Sequence, residues 1–366
     1  MARHMRLRSI PVAAGAAWLL AACAGVQMGQ PTAVPGRGRL DVPEPTATQV
    51  AVGANPTPSA PRMNPLVAQV KPPRARAGAN PYAWLENVRS NRTRHWISVE
   101  NQATAKAIAA IPQRAWISSR LEQLEGGGPS GASGDVVVDH ILYLGPDGAQ
   151  LPMEIAHRRG LTRDGNQPTL LTVYRPTGKP LETILQPFVS AWLEMGGVYA
   201  RAQVRDAIVP VPAPHGAASL PDRSVALGDL FAAAQSLIDQ RYTRRARLGI
   251  YGRGFGGLMA GAAITQRPDF FGAALPTGTW AQYRQIASGN CFPPTLIVTA
   301  EHDGDIRPWR GYELAALLQG EQICGRPILI RIDSGEGPGV PPSVERERAA
   351  DELAFAAKWL GAQPPR

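Results

Sequence analysis

The sequence predicts an α/β fold, a mostly parallel sheet with helices on both faces, and three observations predict it. From Thr169 onward, short apolar runs of strand length alternate with helical patterns, as a parallel sheet with crossover helices requires. Ahead of them, "VVVDHILYL" and "LPMEIAHRR" flank Gly145-Pro146-Asp147-Gly148 and read as a hairpin. In the middle, "RLGIYGRGFGGLMAGAAIT" passes from a buried run through a glycine turn into a small-residue helix.

The elements follow in chain order. Apolar residues at Trp96, Val99, Ala103, Ala107 and Ile111 form one stripe of a helix over 90–111, closed by Pro112. A second helical stretch runs to Glu125 and stops at Gly126-Gly127-Gly128-Pro129. After the hairpin, strands are expected at 169–174, 198–204, 248–251, 295–299 and 327–332, and helices at 227–239, 257–265, 311–319 and 345–360.

The N-terminal part reads differently. Arg3, Arg6 and Arg8 precede an apolar, alanine-rich run over 10–22, too short for a comfortable membrane span and shaped like a secretory signal. It ends in Leu20-Ala21-Ala22-Cys23, which resembles the bacterial lipobox and implies a lipidated Cys23 as the mature N-terminus. An ordinary cleaved signal containing a cysteine is the alternative. Ala24 stands where aspartate would favour inner-membrane retention, so the expectation is the bacterial envelope, on the periplasmic side of the outer membrane. Residues 24–80 hold ten prolines and almost no aromatic residue, too little apolar surface to offset ordering entropy. In an extended polyproline-like state this tether reaches on the order of 100 Å. The division is thus a signal over 1–23, a tether over 24–80, a helical segment over 81–134 and the α/β domain over 135–366.

The net charge of +9 could favour anionic headgroups or polyanions, but no basic run interleaves with aromatics, so no nucleic-acid partner is expected. Neither a metal nor another cofactor is expected. The chain has no histidine pair at ligand spacing and no cysteine cluster, and the glycines of 252–257 lack the Lys and Ser/Thr of a phosphate loop. Cys291 and Cys324 each precede an apolar run; if those runs are adjacent parallel strands, a disulfide is possible in an oxidising compartment. Two unpaired buried thiols are the alternative.

Several long, collinear stretches carry a family resemblance. "NPYAWLENVRS" with the following Trp96, Glu100 and Asn101, then "GPDGAQLPMEIAHRRGLTRDGNQPTLLTVY", "TQRPDFFGAAL" and "LIVTAEHDGDIRP" resemble the prolyl oligopeptidase family of serine peptidases over nearly all of 81–366. The resemblance implies an α/β-hydrolase fold with a Ser-Asp-His triad in chain order. The nucleophile elbow, G-x-S-x-G, reads Gly252-Arg253-Gly254-Phe255-Gly256, so Gly254 stands at the nucleophile position. The acid falls on Asp303 and the base on Pro338, within Gly335-Glu336-Gly337-Pro338-Gly339. Tyr174 matches a tyrosine that helps stabilise the oxyanion, and Asp305 stands at the arginine that contacts the peptide backbone. Only 126–134 occupies the place of the family's β-propeller, so no propeller is expected.

Without a hydroxyl at 254 and an imidazole at 338, covalent acyl transfer lacks its nucleophile and its base. The expectation is a lipid-anchored relative that binds a peptide or protein ligand without cleaving it. A hydrolase with displaced residues, recruiting Tyr174 or His215, and a purely structural lipoprotein are the alternatives.

Overall fold

A computed structural model describes residues 80–127, 135–175, 186–205, 224–278, 289–302, 308–336 and 341–365. The tether and Cys23 lie outside these residues. The sheet has eight strands: β1 (Val136–Leu144), β2 (Gln150–Arg158), β3 (Thr169–Tyr174), β4 (Val198–Gln203), β5 (Leu248–Arg253), β6 (Ala273–Thr277), β7 (Thr295–His302) and β8 (Ile328–Glu336). Their order is β1-β2-β4-β3-β5-β6-β7-β8; β1 and β2 are antiparallel, as are β2 and β4, and the rest are parallel. This is the α/β-hydrolase arrangement, and β3 is its switch point: the chain steps from β3 to β4 on one side and then crosses to β5 on the other.

Right-handed crossovers then decide which face each helix covers. Helices α4 (Ser224–Asp239), α5 (Phe255–Gln266) and α6 (Trp309–Glu321) supply Leu230, Met259 and Leu314 to one core, with Ile155, Leu171 and Ile250 of the sheet. Helices α2 (Gln113–Glu125), α3 (Pro187–Glu194) and α7 (Pro342–Leu360) supply Leu121, Trp192 and Leu353 to the other, with Leu170, Tyr251 and Val298. Among the described residues no helix is long and apolar enough to cross a membrane.

Helix α1 (Asn91–Ala109) opens at an N-cap, where the Ser90 side chain accepts from the Thr93 N–H. Its early residues Trp96 and Ile97 enter the first core and Ile108 enters the second, so it passes along the outer edge of β8. There the Asn101 amide donates to the Ile332 carbonyl and accepts from its N–H, both at 2.8 Å, while the Thr104 hydroxyl donates to Ile330 O at 2.7 Å. A side-chain amide thus pairs with an edge strand as a neighbouring backbone would, covering groups that invite strand addition.

Two elements were not expected, α3 and β6. The five residues of β6, "AALPT", show no alternation and contain Pro276, which lacks a ladder donor. The strand survives because all five residues are buried between β5 and β7. Parallel β7 and β8 start together at Thr295 and Ile328, which brings the preceding cysteines to one end of the sheet. Cys291 and Cys324 form a disulfide with a Cα–Cα distance of 5.3 Å and a sequence separation of 33. In the chain-entropy description a loop of that length contributes about 3–4 kcal/mol.

Candidate active site

Strand β5 ends at Arg253, and α5 starts at Phe255. Gly254 between them has φ 55° and ψ −114°, a conformation strained for any residue with a Cβ. Its N–H donates to Thr277 O at 3.1 Å, and its carbonyl accepts the first helical hydrogen bond, from Leu258 N at 2.9 Å. The turn is so tight that a Cβ at Gly252 would lie 2.2 Å from the Gly256 carbonyl carbon, and one at Gly257 would lie 2.1 Å from Thr277 O. Gly256 faces the end of β3, where a Cβ would meet Thr172 Oγ1 and Val173 O at 3.5 Å. At Gly254 a Cβ would meet none of the described residues within 4 Å. The turn therefore has the outward-projecting geometry of a nucleophile elbow, and glycine occupies its tip. Beside it, the leading N–H groups of α5 have no acceptor within the helix and can serve an anion or a polarised carbonyl.

The elbow abuts the end of β3. Tyr174 lies between Val173, which meets the Gly256 position, and Arg175, whose guanidinium sits 4.4 Å from the centre of the Phe255 ring. The Tyr174 ring itself lies under the Arg201 guanidinium at 3.9 Å, and Arg201 pairs with Glu154 at 3.2 Å. Burial, then the charge of Glu154, raises the Tyr174 phenol above its usual range, so it stays a neutral hydroxyl.

Sequence reasoning missed what holds this turn. Arg253 donates from Nη1 to Glu345 at 2.8 Å and from Nη2 to Glu352 at 3.2 Å, both on α7, and from Nε to the Tyr251 hydroxyl at 3.1 Å. The Glu352 side chain is wholly buried, and its second oxygen accepts from the Thr277 hydroxyl at 2.5 Å. Burial opposes the Arg253 charge most strongly of any single cause, but Glu352, Tyr251 and Glu345 together outweigh it and hold the guanidinium above its ordinary value. The lattice continues: Arg348 bridges Glu345 and Asp333, Arg331 bridges Asp333 and Asp351, and Arg114 of α2 bridges Asp351 and Glu347. One signal was available: an arginine behind a buried glycine turn needs a counter-charge, and α7 begins with "SVERERAADEL".

Asp303, Pro338, Asp305 and His215 lie outside the described residues. The strands that lead to the first two are adjacent, with His302 of β7 opposite Glu336 of β8. Among the described residues no group of three or more His, Cys, Asp and Glu could hold a metal ion.

Comparison with known proteins agrees with this architecture. The model of the prolyl oligopeptidase family matches residues 215–288 and 277–363. The chain is 29% identical over 262 residues to the prolyl endopeptidase of Elizabethkingia meningoseptica, covering 62% of this chain and 37% of that protein. It is 35% identical over 232 residues to the uncharacterized peptidase RP174 of Rickettsia prowazekii, covering 53% of this chain and 32% of that one. A solved prolyl endopeptidase, from a study of two such enzymes, is 28% identical with a TM-score of 0.56, over 63% of this chain and 39% of its own. The post-proline cleaving enzyme from Rickettsia typhi shares the fold at 21% identity and a TM-score of 0.52, over 63% of this chain and 38% of its own. The chain thus spans well under half the length of these relatives.

Proposed function

We propose that this chain, whose residues 215–363 match the prolyl oligopeptidase family of serine peptidases, is a non-cleaving member of that family, a pseudoenzyme that binds a peptide or protein segment at the elbow while anchored through a lipid on Cys23 to the periplasmic side of the outer membrane. One observation carries the reading. The elbow keeps the strained turn, no described residue stands within 4 Å of where a side chain would project, and the residue at its tip has no side chain to attack a carbonyl. Pro338 at the base position in the sequence supports the same reading, since proline can neither accept a proton from a nucleophile nor return it to a leaving group. The α5 N–H groups would still orient a ligand carbonyl or carboxylate.

The test is chemical. The purified mature protein is expected to resist labelling by a fluorophosphonate probe and to show no turnover of peptide or ester substrates. The double substitution Gly254→Ser with Pro338→His is expected to gain weak esterase activity and labelling at residue 254. Stoichiometric labelling of the unmodified protein would sink the proposal. The anchor has its own test: Cys23→Ser should abolish incorporation of labelled fatty acid and move the protein from the membrane to the soluble fraction, and unchanged incorporation would refute lipidation at that residue.

A further inference from the structure

A second candidate site lies where the start of α1 meets the end of β7 and the first turns of α6. These elements enclose a cavity of about 450 Å³, within the range of small-molecule sites. Its wall combines opposite charges. Arg89 and Arg94, both exposed, bring two guanidiniums from α1 and the residues before it, and Glu301 brings a carboxylate from β7. The Asn101 amide also lines the cavity but is committed to the Ile332 backbone, and the Ser98 hydroxyl accepts from Gln102 at 3.1 Å.

Tyr312 completes the wall. Its side chain is fully buried, yet its hydroxyl has no hydrogen-bond partner among the described residues, although burying such a group unpaired is destabilising. Glu301 lines the same cavity, and its charge, after burial, raises the phenol and keeps it protonated. A carboxylate and a hydroxyl oxygen on one cavity wall match an ammonium group, which carries three donors and no acceptor. The two guanidiniums match a carboxylate, which they can bind through paired hydrogen bonds.

We infer that this cavity is a binding site for a small zwitterion, a free amino acid or a dipeptide, with its ammonium on Glu301 and Tyr312 and its carboxylate on Arg89 and Arg94. A simple anion would meet Glu301 as a like charge, and a simple cation would meet the two arginines; only a ligand with both charges uses the whole wall. The inference does not rest on the proposed role of the elbow.

Calorimetric titration of the mature protein tests this with free alanine and with a panel of unblocked dipeptides built from Gly, Ala and Leu. Saturable binding by at least one member is expected. N-acetylation or C-amidation of that ligand should each weaken binding by about tenfold or more, the loss of one charge-assisted contact. Glu301→Gln should weaken the parent ligand while leaving the acetylated form unchanged. Tyr312→Phe should also weaken binding, with an unfolding midpoint equal to or above that of the parent, since the hydroxyl makes no internal bond that the change would break. No saturable binding by any member up to millimolar concentration, or equal binding of blocked and unblocked forms, overturns the inference. A Tyr312→Phe variant that is clearly destabilised would overturn the assignment of that hydroxyl to a ligand.

Discussion

Arg253→Met is expected to destabilise the domain by about 3 kcal/mol, read from urea unfolding, because it leaves the carboxylate of Glu352 buried with the Thr277 hydroxyl and no cation. Removing one partner of a buried pair costs about 3–5 kcal/mol in general. The low end applies because the Arg253 side chain is 39% exposed, so water reaches part of the space it vacates. The double substitution Arg253→Met with Glu352→Gln should recover most of the loss, since an amide keeps the Thr277 hydrogen bond without a charge to solvate. A double variant as unstable as the single one would show that the cost is lost packing, and the electrostatic account would fall.

Gly257→Ala should cost more than about 3 kcal/mol or prevent folding, the severe end of overpacking, since its Cβ would enter the Thr277 carbonyl at 2.1 Å and neither β6 nor α5 has a flexible atom there to give way. Gly254→Ala, three residues earlier, should cost only about 1–3 kcal/mol, the strain of a Cβ at positive φ that no described residue crowds. The comparison separates two demands on one turn: glycine at 252 and 257 is imposed by contact, whereas at 254 it relieves backbone strain alone. Thermal unfolding of the two variants side by side measures the difference. Equal losses would mean that the turn packs in another way.

Much of this was legible in the sequence because periodicity and glycine spacing are local signals. Stripes such as Trp96 to Ile111 and turns such as Gly145 to Gly148 declare themselves within a few residues. Strand β6 did not, since a short apolar segment with a proline carries no period and owes its form to neighbours on both sides. At the elbow the glycines marked the turn, but Arg253 meets Glu345 and Glu352 across 92 and 99 residues, where the need for a counter-charge was legible and the choice of partner was not. The Tyr312 cavity escaped for the same reason: Arg89, Glu301 and Tyr312 come from separate elements, and nothing in their local sequence marks them as neighbours.

The covering of β8 by α1 sets a clock on biosynthesis. Asn101 and Ile332 are 231 residues apart, and Arg114 and Glu347 are 233 apart. At ribosomal rates of 5–20 residues per second, α1 waits roughly 10–50 s for the strand it guards. Its stripe of Trp96, Ile97 and Ile108 has no sheet to rest on until then. This part of the fold thus stays open until its last elements are made, and the first α-helix among the described residues to emerge is among the last to find its place.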